Sequence, residues 1–185
     1  MTSDSRSALR RAAVITVSDA CSQNLRQDLS GPAVTRTLDV AGWQTVLHLT
    51  VPDEQKVIED AIQSAAAAAS LVVTTGGTGI GPRDVTPEAT RAICDRLLEG
   101  VPELMRAEGR RETPMATLSR AVCGTRGRSL VLNLPGSPAG AVTSLAAVLP
   151  MLRHAVDLLE GKTEHRAEVE GPASDPGDAR KVERS

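Results

Sequence analysis

The sequence predicts an α/β protein, a three-layer sandwich in which a mostly parallel β-sheet carries helices on both faces. Short runs of β-branched and aliphatic residues recur along the chain, and each run is followed by a loop and a helical pattern. Parallel strands need such helical crossovers, whereas antiparallel neighbours can be joined by tight turns. The chain has 185 residues, which is enough for one such domain with a tail at each end.

Four runs have the composition of buried strands. They are residues 12–18, 43–50, 71–75 and 129–134. In a sheet of this kind, ligands bind at the carboxyl ends of the strands. Polar and glycine-rich residues stand at three of these ends, namely residues 18–19, 74–79 and 133–137. We therefore expect the functional site at this edge of the sheet.

Apolar residues at helical spacing predict a helix after each of the first three strands. The first helix begins near Ser30, with Gly42 as its C-terminal stop. The second covers residues 53–69. The third has Thr86 as its N-cap and Pro87 at its first helical position.

Two more helices follow before the chain becomes irregular, at residues 101–109 and 139–159. Pro150 should divide or kink the last helix, because proline removes a backbone donor and clashes with the preceding turn. Outside the periodic part, both ends are polar or charged. The expected organisation is a mobile N-terminal tail, a globular domain and a disordered charged C-terminal tail, at residues 1–11, 12–161 and 162–185.

The composition excludes several classes of function. Trp43 is the only aromatic residue, so platforms for base stacking are not expected, and a net charge of −2 argues against binding to nucleic acid. The three cysteines lack the close pairing of a zinc or redox site, which is typical of reduced thiols in a cytosolic protein. No uninterrupted apolar stretch approaches the roughly 18 residues that suggest a membrane helix. We therefore expect a cytoplasmic protein that does not act at a membrane.

The glycine-rich stretch at residues 71–90, LVVTTGGTGIGPRDVTPEAT, does not match the two common nucleotide loops. Counting from Gly77 and Gly79, the third glycine of the dinucleotide fingerprint is replaced by Pro82. The ATPase loop requires Lys and then Ser or Thr where this chain has Pro82 and Arg83. Glycines interleaved with threonines can still form a concavity of amides that binds anions. The alternative is a flexible turn after a buried strand.

Two aspartates have ambiguous positions beside predicted helices. Asp84 stands two residues before Thr86, and Asp53 lies between a strand and a helix. Each could be a helix cap, since a carboxylate is favourable at a helix N-terminus. Each could also hold Mg²⁺ beside a bound phosphate. The functional interpretation requires both side chains to meet at the same edge of the sheet.

Four blocks of sequence, in order, resemble the molybdopterin adenylyltransferase family of molybdenum-cofactor biosynthesis. They are TTGGTG at 74–79, RDVTPEAT at 83–90, SRAVCG at 119–124 and NLPGSP at 133–138. The resemblance implies a cytoplasmic α/β enzyme, usually a trimer, that transfers AMP from Mg·ATP to the terminal phosphate of molybdopterin and releases pyrophosphate. The product then passes to a molybdenum-inserting protein. The family's two catalytic acidic positions fall on Asp53 and Asp84.

The resemblance also implies which residues bind the two substrates. Our physical hypothesis is that Asp84, with Asp53 as a second candidate, holds Mg²⁺ or its waters, while the loop amides of Gly76 to Gly79 cradle the nucleotide phosphates. The implied binding residues outside this acidic pair are Thr75, Gly76, Gly77, Thr78, Gly79, Ser18, Asp28, Ser30, Gly31, Ser119, Arg120, Asn133, Pro135, Gly136 and Ser137. Arg120 could pair with a phosphate of the pterin through two hydrogen bonds. Taken alone, Arg120 would sooner be assigned to a surface or intersubunit ion pair.

The chain departs from the family pattern near its first strand. Family members often carry Arg after the Ser-Asp pair and Gly a few residues later, where this chain has Ala20 and Asn24. Asn can still adopt the left-handed backbone conformation. The three histidines are far apart in sequence, so neither a metal triad nor a catalytic relay is expected from them.

Three other functions remain open. The first is a molybdopterin-binding relative without catalysis, which retention of both aspartates disfavours. The second is an assembly module of the kind fused into larger scaffolding proteins. The third is an unrelated hydrolase of nucleotide derivatives, which ATP turnover without a pterin acceptor would indicate.

Overall fold

The computed structural model describes residues 10–162 and contains one mixed sheet of six strands in the order β2-β1-β3-β6-β5-β4. The strands are β1 Arg10–Val17, β2 Trp43–Val51, β3 Leu71–Thr75, β4 Arg96–Leu97, β5 Cys123–Arg126 and β6 Ser129–Leu134. The first four strands in this order, β2, β1, β3 and β6, are parallel to one another, so they all end at the same edge of the sheet. This confirms the expected mostly parallel sheet and all four predicted strands.

Strands β4 and β5 were not expected from the sequence. They extend the sheet in the antiparallel direction, and β5 is joined to β6 by a turn in which Gly127 has a φ of 56°. A left-handed residue of this kind suits a two-residue hairpin turn. With four and two residues, β5 and β4 are too short to show a strand period.

Helices cover both faces of the sheet. They are α1 Asp19–Ser22, α2 Ser30–Val40, α3 Gln55–Ala68, α4 Thr86–Ile93, α5 Gly100–Gly109 and α6 Pro138–Leu159, with a 3₁₀ helix at Pro114–Leu118. Buried residues of α2, α5 and α6 share one apolar cluster with one face of the sheet. Buried residues of α3 and α4 form a second cluster on the other face. The three-layer sandwich is therefore confirmed.

The last helix differs from its prediction in one respect. α6 is continuous from Pro138 to Leu159, so Pro150 does not divide it. By length and composition alone α6 could cross a membrane, although no apolar stretch of that length was expected. Six of its residues nevertheless face the protein core, as in the central helix of a folded domain: Ala141, Ser144, Leu145, Val148, Leu152 and Val156.

Two elements begin at residues other than those predicted from the sequence. Strand β1 begins at Arg10, so residues 10 and 11 belong to the sheet and not to the N-terminal tail. Thr86 is the first residue of α4, whereas the N-cap position is held by Val85. The remainder of the N-terminal tail and nearly all of the C-terminal tail lie outside the described residues.

Candidate active site

A cleft of about 520 Å³ opens where β1, β2, β3 and β6 end. Its walls come from the segments that follow these four strands, as expected for an open α/β sheet. The predicted site residues that line it are Ser18, Asp28, Ser30, Asp53, Thr75, Gly76, Gly77, Asp84, Gly136 and Ser137. The fold thus brings together side chains that are up to 119 positions apart in the sequence, from Ser18 to Ser137.

The glycine loop after β3 is fixed by its neighbours and is not a loose turn. Gly76 has a φ of 103°, and a Cβ atom built on it would lie 2.2 Å from the carbonyl oxygen of Val17. Its amide donates to the carbonyl oxygen of Leu134 at 3.2 Å. The hydroxyl of Thr86 donates to the carbonyl oxygen of Gly76 at 2.9 Å. Only glycine fits here, because both the backbone angle and the close approach to β1 exclude a side chain.

The next amides of this loop are available to a ligand. Within residues 10–162, the amide groups of Gly77, Thr78 and Gly79 make no hydrogen bond to the protein. The expectation that the Gly76 amide would also bind phosphate is wrong, because this amide donates its hydrogen bond to the carbonyl oxygen of Leu134. Three consecutive unpaired amides still form a concavity of the kind that binds phosphate.

Asp53 is fixed by Asp19 and does not cap a helix. α3 begins at Gln55 and has no side-chain cap. The amide of Asp19 donates to Oδ2 of Asp53 at 2.7 Å, and the amide of Asp53 donates to Oδ1 of Asp19 at 3.0 Å. The other carboxylate oxygen of Asp53 accepts no hydrogen bond from the described residues. Burial raises the pKa of Asp53, and the charges of Asp19 and Asp84 raise it further.

Asp84 is likewise held by a backbone amide. The amide of Gly81 donates to its Oδ2 atom at 2.7 Å, and no side-chain cap is present at the start of α4. Cβ atoms built on Gly79 and Gly81 would each lie 2.9 Å from that same oxygen. Asp53 and Asp84 line one cleft, so the convergence that the functional interpretation requires is present.

Two charged residues outside the predicted binding set, Asp19 and Arg83, contact the elements that carry Asp53 and Asp84 without lining the cleft themselves. Arg83 donates through Nε and Nη2 to the carboxylate of Asp19 at 3.0 and 2.9 Å. The amide of Asp53 holds the pKa of Asp19 below its ordinary value, and the Arg83 guanidinium lowers it further. In the sequence, Asp19 follows the first strand and Arg83 directly precedes Asp84. These positions beside predicted site residues were the only indication of their role in the sequence.

A second pocket of about 380 Å³ lies beyond the glycine loop and is more apolar. It shares Gly77, Asp84, Gly136 and Ser137 with the first cleft. The predicted residues Thr78, Gly79, Ser119 and Pro135 line it, together with the side chains of Met115 and Leu118. The glycine loop and Asp84 therefore separate two adjoining compartments.

Asp28 belongs to a polar cluster at the wall of the first cleft. Its carboxylate accepts hydrogen bonds from the Thr16 hydroxyl at 2.6 Å and the Gly31 amide at 3.0 Å, and it lies 3.2 Å from Nε2 of His48. Burial raises the pKa of Asp28, but these contacts outweigh it and the net pKa is lowered. His48 thus has a partner in the cluster, although the sequence suggested no particular role for it.

Two predicted binding residues have structural roles instead. Asn133 is fully buried, and its amide donates to the hydroxyls of Thr74 and Thr90 at 2.9 and 2.8 Å. Its Oδ1 atom accepts from the amide of Val122 at 3.1 Å. Because these polar groups are satisfied in the core, the structure does not support a binding role for the Asn133 side chain.

Arg120 is engaged with its own chain and is not among the residues that line either of these two pockets. Its Nε atom donates to the carbonyl oxygen of Gly79 at 2.6 Å, and Nη2 donates to the carbonyl oxygen of Asp84. The same guanidinium pairs with Glu88. The expected pairing with a pterin phosphate is therefore not supported, and the ion-pair interpretation of Arg120 fits the geometry. Arg120 supports the loop that carries Asp84.

The sequence matches a known protein family over most of its length. Residues 13–154 match the family described as "Probable molybdopterin binding domain". The chain belongs to this family. It is 40% identical over 152 residues to the molybdopterin adenylyltransferase of Helicobacter pylori strain 26695. The aligned residues cover 80% of this chain and 86% of that protein.

Solved structures of the family have the same fold. The crystal structure of the molybdopterin biosynthesis enzyme MoaB from Thermus thermophilus is 47% identical, with a TM-score of 0.79 over 83% of this chain and 98% of that one. A molybdopterin biosynthesis protein from Mycobacterium abscessus is 38% identical, with a TM-score of 0.75 over 82% and 95% of the two chains.

The two departures from the family pattern have local explanations. Asn24 has a φ of 58°, so it adopts the left-handed conformation that glycine would favour at this place. Ala20 supplies no cation, but Arg26 lines the cleft and its Nη2 atom donates to the hydroxyl of Ser18 at 3.4 Å. The segment thus retains a positive charge beside the cleft.

The acidic residues fit Mg²⁺ that enters with a nucleotide. Residues 10–162 contain no group of three side chains that could hold a metal by themselves. Mg²⁺ commonly uses one or two carboxylates and completes its shell with phosphate oxygens and water. Asp53 and Asp84 are two such carboxylates, each with one oxygen held by a backbone amide.

Proposed function

We propose that this chain is a molybdopterin adenylyltransferase, which transfers AMP from ATP to the terminal phosphate of molybdopterin. A phosphate oxygen of the pterin attacks the α-phosphorus of ATP and forms a new P–O bond. The bond between the α-phosphorus and the oxygen that bridges it to the β-phosphate breaks. Pyrophosphate leaves with that oxygen. The observation that carries this proposal is the convergence of Asp53 and Asp84 in one cleft beside the unpaired amides of the glycine loop.

Both reactants are anions, so the main obstacle is their mutual repulsion. Catalysis by positioning and charge neutralisation is typical of phosphoryl-group chemistry. The amides of Gly77, Thr78 and Gly79 would bind phosphate oxygens, and Asp53 and Asp84 would hold Mg²⁺. That ion would supply positive charge between the two phosphates. The adjoining compartments would give separate places to the two large reactants, with the shared residues between them.

The direct test uses purified protein, molybdopterin, Mg²⁺ and ATP labelled at the α-phosphate. Label on the pterin and release of pyrophosphate are expected. We expect Asp53→Asn and Asp84→Asn to lose transfer while staying folded, because they keep the shape of the side chain and remove its charge. Wild-type transfer by both folded variants would refute the assignment of these residues.

The same assay separates the competing functions. A binding protein without catalysis would retain molybdopterin and leave the label on ATP. A hydrolase would release labelled AMP in the absence of pterin.

The remaining features of the proposal come from the family resemblance. They are a requirement for Mg²⁺, a homotrimer, a cytoplasmic location and delivery of the product to a molybdenum-inserting protein. Light scattering during size-exclusion chromatography tests the trimer: a mass near three times 19.4 kDa is expected, and a monomer would contradict it.

A further inference from the structure

Asp19 connects the two sides of the cleft through its backbone and its side chain. Its amide holds one oxygen of Asp53, and its carboxylate accepts the Asp53 amide in return. The same carboxylate binds two nitrogens of Arg83. Arg83 directly precedes Asp84, so a continuous chain of contacts runs from the Asp53 carboxylate to the segment that carries Asp84.

Stability alone does not explain this arrangement. The Arg83 side chain is 59% exposed and that of Asp19 is 36% exposed. Ion pairs this open to solvent contribute little to folding, because water screens the two charges. The two-way hydrogen bonding between Asp19 and Asp53 instead fixes the ends of β1 and β2 relative to each other.

We infer that Asp19 and Arg83 are positioning residues, which set the relative placement of the Asp53 and Asp84 carboxylates. This inference rests on the proposed function in one respect, namely that the two carboxylates hold Mg²⁺. Asp19 orients Asp53 through its own amide and through its carboxylate, which accepts the Asp53 amide. The same carboxylate binds the Arg83 guanidinium, which ties the Gly81–Asp84 segment to Asp19 and is lost as a charged pair in Asp19→Asn. Partners that orient metal-binding groups typically contribute about 10- to 100-fold to metal affinity or activity.

Metal binding distinguishes positioning from a simple effect of charge. By charge alone, Asp19→Asn removes a negative group and weakens binding of a cation, whereas Arg83→Gln removes a positive group and strengthens it. If the pair positions the two carboxylates, both variants weaken binding. The two explanations therefore differ in the sign of the Arg83→Gln effect.

The experiment measures Mn²⁺ binding to the full chain by electron paramagnetic resonance, in the presence of the non-cleavable analogue α,β-methylene-ATP. We expect about 10-fold weaker Mn²⁺ binding for both Asp19→Asn and Arg83→Gln. Arg83→Lys should recover part of the affinity, because an ammonium group can still donate to Asp19. Arg126→Gln is the matched control, since Arg126 makes another exposed ion pair, with Asp95, and within residues 10–162 neither partner hydrogen-bonds to Asp19, Asp53 or the Gly81–Asp84 segment.

Folding and steady-state kinetics complete the test. We expect both variants to keep the wild-type melting temperature and KM for molybdopterin while kcat falls about 10-fold. Stronger Mn²⁺ binding by Arg83→Gln, or binding unchanged in either variant, would overturn the inference. If the wild type binds Mn²⁺ with the analogue but transfers no AMP, the proposed function fails while the comparison of Mn²⁺ affinities still decides the positioning role.

Discussion

The hydroxyl of Thr86 donates a hydrogen bond of 2.9 Å to the carbonyl oxygen of Gly76, and this contact joins the first turn of α4 to the glycine loop. Thr86 is fully buried, and its amide donates to the carbonyl oxygen of Gly77 at 3.1 Å. One residue therefore satisfies two consecutive carbonyl groups of the loop. The backbone that carries the unpaired amides of the loop is therefore held in place through its carbonyl groups.

Thr86→Val keeps the shape of this side chain and removes the hydrogen bond. We expect the free energy of unfolding to fall by about 1–3 kcal/mol, because the carbonyl oxygen of Gly76 loses a buried partner. Urea unfolding followed by circular dichroism measures the loss. Thr35→Val is the matched control, since the buried hydroxyl of Thr35 has no partner within the described residues and its removal should be neutral or stabilising. Equal losses in the two variants would contradict this account.

Gly76→Ala tests the close approach of the glycine loop to β1. The added methyl group would meet the Val17 carbonyl oxygen, and a φ of 103° disfavours any side chain. We expect a loss of at least about 2 kcal/mol, since strained backbone alone costs about 1–3 kcal/mol. Gly100→Ala is the control, because a methyl group added there would meet no atom of residues 10–162 within 4 Å. Thermal unfolding measures both losses, and equal melting temperatures for the two variants would disprove the prediction.

Asn133→Ala should act on folding and not on substrate recognition. It would leave the hydroxyls of Thr74 and Thr90 and the amide of Val122 short of a buried partner. We expect a loss of about 3 kcal/mol, with little change in KM for either substrate at a temperature where the variant is folded. Gln63→Ala, at an exposed position on α3, is the control. A stable variant with a raised KM for molybdopterin would restore Asn133 as a binding residue.

Asp28 should make stability depend on pH in the acid range. Its pKa in the folded protein lies below the ordinary value of 3.8, so the unfolded chain takes up a proton first as the pH falls. The stabilisation is therefore complete above about pH 3.8 and is lost as the pH drops through the lower folded value. Asp28→Asn should be less stable than the wild type at about pH 5, and the difference should shrink by about pH 3. Unfolding free energies that differ by the same amount at both pH values would argue against this linkage.

Local sequence was sufficient for the parallel part of the sheet. The runs at 71–75 and 129–134 are short and mainly aliphatic, and they coincide with β3 and β6. β4 and β5 form because β6 offers a free edge, which is a property of the assembled sheet and not of their own few residues. Tertiary pairing of this kind leaves little periodic signal in the sequence.

The candidate site was predictable in position but not in the roles of all its side chains. Asp53 and Asp84 were expected at a strand end and a helix start, and the fold was needed to bring them into one cleft. Asn133 and Arg120 stand in motifs that suggested ligand contacts, yet their polar groups are satisfied within the chain. Motif position does not specify which way a side chain points, and this is decided by the neighbouring strands and loops.

The absence of other aromatic residues gives the molecule a built-in optical probe. Trp43 is the only source of strong near-ultraviolet emission, and it is almost completely buried. It begins β2, and Val51 is eight steps of about 3.3 Å further along the strand, so Trp43 lies about 26 Å from the strand end that adjoins the cleft. Its emission should therefore follow global unfolding and stay nearly constant on ligand binding, which allows the two events to be recorded separately in unlabelled protein.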